Sequence, residues 1–255
     1  MSTAARQPRT RRTALAAALC AALALGATAC GHIYGDPEAT GPFGYLSAPE
    51  IVSNAIVATK EADSLTLDVA TKTTDGPVKA YLATDVRGKC AGTLTIGATG
   101  TAELIKPDDK DVYLRFDEAF LKEQAKGEST EVREAVLKEL KGRWVKTPAT
   151  DPEAKDSLEL CDVKALLREF KEAADLAVES KETKVGGQKA LMLTAVLGSE
   201  QTTFYVATEG TQHLLKIVTA GGEEPGTIIF TGYGKPVEAK APPAKDVVLD
   251  ETKEG

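Results

Sequence analysis

The chain has 255 residues, of which 42% are hydrophobic and 5% aromatic, and its 31 basic and 38 acidic residues give a net charge of −7. An acidic balance argues against nucleic acid as a partner, because that recognition depends on clustered Lys and Arg. The length is sufficient for one large domain with a sizeable core.

The first 29 residues have the layout of a secretion signal. Four arginines and no acid lie within residues 6–12, and residues 13–29 form an uncharged run rich in Ala and Leu. A basic start, an apolar run and small residues before a cleavage point are typical of a signal peptide. Because the run ends in Ala-Thr-Ala followed by Cys30, we interpret it as a bacterial lipobox, in which residues 1–29 are removed and Cys30 becomes the lipidated N-terminus. An ordinary secretory signal that leaves Cys30 as a free thiol is the alternative.

Processing at Cys30 would define how the protein meets the membrane. Removing residues 1–29 takes away four Arg and leaves 27 basic against 38 acidic residues, a net charge of −11. Such a charge disfavours broad attraction to anionic lipid heads. Acyl chains such as palmitate on Cys30 would provide the attachment, since stable anchoring needs more than one chain. We therefore predict a lipid-anchored protein at the extracytoplasmic face of the cell membrane, with residues 30–47 as a flexible Gly- and Pro-rich linker. The pair Arg11-Arg12 leaves a twin-arginine export route open beside the general one.

Two cysteines remain after this processing. Cys20 is lost with the signal and Cys30 carries the lipid, so Cys90 and Cys161 are left in an oxidising compartment. We predict that they form a disulfide, with two separate buried thiols as the alternative. No metal site is expected, because no second Cys or His stands at ligand spacing near either residue.

Residues 48–250 are predicted to form a single domain, followed by a disordered tail at 251–255. The domain begins with a helix over 48–62, which Ser47 can cap and in which Pro49 and Glu50 suit the first turn. Alternating apolar and polar residues joined by tight turns then predict an antiparallel meander. Its five strands are expected over 65–70, 78–83, 93–96, 102–105 and 111–116, with the first turn at Asp75-Gly76.

The apolar spacing then becomes helical. Helices are predicted over 118–126, 130–141 and 161–174, with a short strand at 142–146 and a loop at 147–157. Strands return over 178–185, 190–196, 202–208, 213–218 and 227–230, and 247–249 is predicted as a last edge strand. A parallel α/β sheet requires strands and helices to alternate regularly along the chain. Because this order of elements does not alternate in that way, we predict an α+β fold. Its expected architecture is a large twisted antiparallel half-barrel sheet with helices covering the concave face.

Several local segments strengthen this prediction. They are the lipobox at Cys30, the helix over 48–62, the hairpin at Asp75-Gly76, the strand 112–116 that leads into helices, the segment 142–145 and the segment 231–237. In these features the chain resembles the actinobacterial LppX/LprG-type lipoproteins and, more distantly, the LolA-type periplasmic lipoprotein carriers. The resemblance covers nearly all of the chain after Cys30. It implies a half-barrel with an apolar cavity beneath its helices, in a family whose better-known members carry acylated lipids or lipoproteins.

A concave sheet would direct a set of apolar side chains toward such a cavity. The alternative is that the same side chains simply fill a core. The ten candidates are Leu67, Val69, Leu82, Leu94, Leu114, Phe116, Leu193, Phe204, Val206 and Phe230.

The sequence contains no recognisable catalytic set. After processing, only His32 and His213 remain as histidines, and neither a G-x-S-x-G turn nor a phosphate-binding loop occurs. We therefore predict a protein that is not an enzyme and has no cofactor.

The first functional hypothesis is an anchored carrier of a hydrophobic molecule, such as a lipid or glycolipid. The second is an anchored sensor or interaction module with a filled core, which binds an envelope protein and no ligand.

Overall fold

The computed structural model describes residues 42–74, 76–97 and 100–249. The predicted signal peptide, Cys30, most of the linker, Asp75 and the tail at 251–255 lie outside the described residues. Within the described part of the chain, no helix is long and apolar enough to cross a membrane.

The domain opens with helix α1, Ala48–Lys60. The Glu50 carboxylate accepts hydrogen bonds from the Ser47 backbone N–H at 2.8 Å and the Ser47 hydroxyl at 2.6 Å, which lower the pKa of Glu50. These contacts confirm the predicted helix start, while the helix ends two residues earlier than predicted. Five strands follow: β1 Ser64–Thr73, β2 Gly76–Asp85, β3 Cys90–Ile96, β4 Ala102–Lys106 and β5 Asp111–Phe116.

Helices and strands of the second half also lie close to their predicted positions. The helical part comprises α2 Glu118–Gln124, α3 Thr130–Leu140, α4 Pro152–Leu158, α5 Val163–Leu166 and α6 Lys171–Asp175, with strand β6 Trp144–Pro148 between α3 and α4. The remaining strands are β7 Val178–Val185, β8 Gln188–Leu197, β9 Glu200–Ala207, β10 Leu214–Ala220, β11 Gly226–Thr231 and β12 Val247–Leu249.

Two predicted features between β6 and β7 are wrong. The expected loop at 147–157 contains α4, whose first residue Pro152 suits the start of a helix. The expected single helix over 161–174 is broken into a 3-10 turn at Glu159–Cys161 followed by α5 and α6. The break within the predicted helix lies between Leu166, where α5 ends, and Lys171, where α6 begins. Asp162 caps the start of α5, because its carboxylate accepts a hydrogen bond from the Ala165 N–H at 2.9 Å.

The twelve strands form one sheet in the order β12-β6-β5-β4-β3-β2-β1-β11-β10-β9-β8-β7. Two meanders, β2 to β6 and β7 to β10, are joined at the centre by the antiparallel pair of β1 and β11, in which Leu67 lies opposite Phe230. The predicted α+β fold with a large, mainly antiparallel half-barrel sheet is confirmed. The predicted edge strand β12 is present too, and it runs parallel to β6.

One core lies between the sheet and the helices. Helix α1 contributes the buried side chains Ile51, Val52, Ala55 and Ile56, and it packs against α6, β9 and β10. The spacing of these residues places them on one face of the helix. The buried face of α1 and the inner faces of the strands therefore belong to the same hydrophobic cluster.

Candidate ligand-binding site

The ten predicted interior side chains come from seven strands of the sheet. Eight of them are no more than 4% exposed and belong to the main core cluster: Leu67, Val69, Leu82, Leu94, Leu193, Phe204, Val206 and Phe230. Leu114 is half-buried and packs against this cluster. Phe116, at the end of β5, is not brought into the cluster; it is half-buried and stacks on Phe120 of α2 with ring centroids 4.6 Å apart.

Register explains why the inward residues form a continuous layer. Leu67 lies opposite both Leu82 and Phe230, and Leu193 lies opposite Phe204. Side chains that are directly opposite in neighbouring strands point to the same face of the sheet. An apolar layer therefore extends from β2 across the centre of the sheet to β8.

Buried residues of the same cluster also occur outside the predicted set. Leu104, Val112, Leu214 and Ile217 are almost completely buried. Alternation along β4 and β5 could have identified the first two. Leu214 is different, because Leu215 beside it is buried as well and a bulge between Leu214 and Lys216 shifts the register. The sequence of β10 gives no signal for that bulge.

The helical segment 152–175, which we call the cover, lies over this layer. Its buried side chains are Ala154, Leu167, Ala173 and Ala174, and its half-buried Phe170 meets the ring of Phe204 edge to face at 6.3 Å. The cover is made of short helices, each of at most seven residues. Helices this short have little stability of their own and depend on packing.

A disulfide fastens the cover to the sheet. Cys90, fully buried at the start of β3, is bonded to Cys161 in the 3-10 turn of the cover, with a Cα–Cα distance of 5.9 Å. The Thr84 hydroxyl donates a hydrogen bond to the Cys161 carbonyl at 2.9 Å. The cover is thus held at this point by one covalent bond and one hydrogen bond.

The interior between cover and sheet is filled by protein side chains in this conformation. The largest of them, including Phe204 and Phe230, are less than 2% exposed. Two pockets of the described chain, with volumes of about 290 and 540 Å³, are lined by other residues. In this conformation, therefore, eight of the ten predicted side chains pack within the main core cluster.

The smaller pocket lies where α1 ends, β1 begins and the cover meets the sheet. It is lined by Lys60 of α1, by Leu65 of β1, and by Leu158, Cys161 and Lys164 of the cover, among others. The disulfide therefore forms part of its wall. Its lining combines apolar side chains with charged ones.

A cluster of polar contacts joins the C-terminal end of α1 to strand β10. The Tyr233 hydroxyl donates to the Leu214 carbonyl at 2.5 Å, and Thr59 accepts a hydrogen bond from the Leu214 N–H at 3.0 Å. The His213 ring stacks on Tyr233 at 4.1 Å. Burial lowers the pKa of His213 and raises that of Tyr233. The cluster positions α1 on the sheet by contacts that need neither group to be charged.

The residues that the structure describes contain no group of three Cys, His, Asp or Glu side chains arranged to hold a metal ion.

A mainly antiparallel sheet with helices over one face defines the class of α+β half-barrels. No protein-family model and no curated protein matches the sequence. The fold is similar to the crystal structure of LprF from Mycobacterium bovis, with a TM-score of 0.50 and 13% identity over 76% of this chain and 96% of that chain. It is also similar to the Mycobacterium tuberculosis lipoprotein LppX, with a TM-score of 0.48 and 12% identity over 76% of this chain and 98% of that chain. The similarity to LprF confirms the predicted LppX/LprG-type fold, and at 13% identity it concerns the fold alone.

Proposed function

We propose that the protein is a lipid-anchored extracytoplasmic lipoprotein that binds a hydrophobic ligand, a lipid or glycolipid, between its sheet and its cover. One observation carries this proposal: a continuous apolar layer spans the sheet and is closed by α1 together with the short helices of the cover. The fold supports it, since the family that the sequence resembles carries acylated lipids or lipoproteins.

Ligand binding requires the cover to separate from the sheet, because the interior is filled in the closed conformation. Three of the buried cover residues are alanines, Ala154, Ala173 and Ala174. Hydrophobic stabilisation scales with the apolar area removed from water, about 25 cal/mol per Å², so an alanine contributes less than a leucine. The cover also has larger side chains, with Leu167 in the core and Phe170 packed against it, so opening has to separate these contacts while Cys161 stays bonded to Cys90. Acyl chains would then replace the cover on the apolar layer.

Native mass spectrometry of the protein purified gently from its own membranes tests the proposal. The expected result is an additional mass of one lipid per chain, beyond the mass of any covalent lipid, that is lost on denaturation. Extraction with organic solvent should remove the adduct, and added lipid should restore it. A chain that carries no adduct and takes up none after extraction would contradict a carrier.

The anchor gives a separate prediction. Cys30→Ala is expected to move the protein from the membrane fraction to the soluble fraction, because the diacylated residue is the proposed attachment. Cys20→Ala is the matched control and should leave the distribution unchanged, since Cys20 is predicted to be removed with the signal. Fractionation and immunoblotting measure both. Wild-type protein found mainly in the soluble fraction would contradict the anchor.

The second candidate function is an anchored interaction or sensor module that binds an envelope protein. The filled interior favours it, because eight of the predicted cavity residues are at most 4% exposed. Crosslinking on intact cells would then give a discrete band with a partner protein, and the mass spectrum would show no lipid adduct.

A further inference from the structure

Strand β7, Val178–Val185, forms one edge of the sheet. Within the described part of the chain it pairs with β8 alone, so its other side presents a row of backbone N–H and C=O groups. The opposite edge of the sheet is β12, which has only three residues. β7 is therefore the longer of the two edges, and another strand could be added to it.

The pairing of β7 with β8 shows which backbone groups point to the free edge. Lys189 lies opposite Lys184, and the Lys189 carbonyl accepts a hydrogen bond from the Thr208 N–H on its far side, at 3.2 Å. Lys184 and Lys189 are therefore a non-hydrogen-bonded pair, in which the N–H and C=O of Lys184 point away from β8. Because such pairs alternate along an antiparallel ladder, the backbone groups of Glu182 point to the free edge as well, and those of Thr183 point to β8.

The side chains of this part of β7 are complementary to their own sequence. Glu182 and Lys184 are exposed, and neither forms a salt bridge with the residues that the structure describes. If two copies of β7 run antiparallel about a two-fold axis at Thr183, Glu182 of each copy lies opposite Lys184 of the other. The two Thr183 side chains then face each other, and both kinds of pair stabilise neighbouring strands.

Other positions of the axis do not give this complementarity. An axis at Lys181, Glu182 or Lys184 would place that residue opposite its own copy, so that like charges would meet. Charged residues on an edge strand commonly prevent it from pairing. On β7 they favour one register and disfavour its neighbours.

The start of the described chain is compatible with two copies in one membrane. Pro42 lines the larger pocket together with Glu182, Thr183 and Lys184, so it lies close to the proposed axis. A two-fold axis perpendicular to the sheet keeps the inner faces of both sheets on the same side. The two chains that lead from Pro42 toward Cys30 therefore leave the dimer on the same side.

We infer that the protein forms a two-fold symmetric dimer in which the β7 strands of two copies pair antiparallel about Thr183. The two sheets then continue into one another, and each copy contributes the same surface, as a two-fold interface requires. A bulge between Glu179 and Lys181 restricts the regular part of the edge to residues 181–185. Because this interface is small, a covalent trap is the suitable test.

Thr183→Cys provides that trap in the full chain. Directly opposite residues have Cβ atoms about 4.5–5.5 Å apart, close to the distance of about 3.5–4.5 Å found in disulfides. Lys181→Cys is the matched control, because its counterpart in the other copy is displaced by four residues along the strand, about 14 Å. Mild oxidation of intact cells, followed by non-reducing electrophoresis and immunoblotting, measures cross-linking.

Thr183→Cys is expected to give a band of twice the chain mass that disappears on reduction, whereas Lys181→Cys and wild type should give none. No such band, or an equal band from Lys181→Cys, would overturn the inference. The chain's own linker, residues 31–41, would block the edge if it lay along β7, and the band would then be missing. A band of another mass would indicate a different partner protein and would overturn the dimer too.

Charge reversal in the Thr183→Cys background tests the register. Glu182→Lys or Lys184→Glu alone places like charges opposite each other in two symmetric pairs, so each should lower the yield of cross-linked dimer at least about fivefold. The two together should restore the yield, because they exchange the charges and keep the pairs complementary. Lys79→Glu reverses an exposed charge on the central strand β2 and should have no effect. Failure of the combined variant to recover would contradict this register, and none of these results depends on a bound ligand.

Discussion

Replacing both Cys90 and Cys161 with alanine is expected to lower the free energy of unfolding by about 4 kcal/mol. The two residues are 71 positions apart, and a cross-link over a loop of this length removes much of the entropy of the unfolded chain. Alanine is the suitable replacement, because Cys90 is fully buried and a serine hydroxyl would be left without a partner there. A domain is typically stable by about 5–15 kcal/mol, so the loss is a large fraction of the total.

Urea unfolding measures this change, and reduction provides its control. Wild-type protein in excess thiol should unfold at the midpoint of the double variant, and the variant itself should not respond to thiol. Hydrogen exchange should show the largest local loss of protection in the cover, because Cys161 is its covalent tie to β3. A double variant within about 1 kcal/mol of the wild type would show that the chain-entropy account does not apply here.

Phe204→Ala is expected to lower the free energy of unfolding by about 3–5 kcal/mol. The side chain is completely buried, belongs to the apolar layer of the sheet and contacts Phe170 of the cover. Its removal loses the transfer free energy of the ring and leaves a cavity between sheet and cover. Denaturant unfolding, followed by far-UV circular dichroism, gives the value.

The neighbouring Tyr205→Ala is the matched control for this prediction. Tyr205 lies on the opposite face of β9, where it is half-buried beneath Lys216 at 5.5 Å. Because successive residues of a strand point to opposite faces, this variant removes a ring of similar size without opening the core. Its cost should be less than half that of Phe204→Ala. Equal costs would contradict the assignment of the inner face.

Some interior residues could be predicted from the sequence because the sheet repeats every two residues. The alternation of Leu67 and Val69 with polar residues is enough to place both on one face, and the same holds for Phe204 and Val206. The disulfide followed from counting cysteines in an oxidising compartment. Phe116 shows where alternation fails as a guide. It alternates with polar residues as an inward side chain would, but it lies at the end of β5, where its ring stacks on that of Phe120 instead of entering the core.

The broken helices of the cover show a different limit. Leu166, Leu167 and Phe170 have a spacing that suits a single helix, and apolar periodicity alone cannot detect that α5 ends at Leu166 and α6 begins at Lys171. Helices this short depend on packing, so tertiary contacts decide where each one ends. The smaller pocket was likewise not predictable, because Lys60 and Lys164 are more than a hundred positions apart in the chain.

The sequence by itself determined most strand faces and the order of most elements, because these depend on residues close together in the chain; the signal peptide and the lipidation of Cys30 stay predictions from the same kind of local pattern. Only the tertiary structure decided that β1 pairs with β11 and that the cover packs over the apolar layer. Those features depend on contacts between distant segments. Their geometry is set by how the whole core packs, and it cannot be predicted from the local amino-acid sequence.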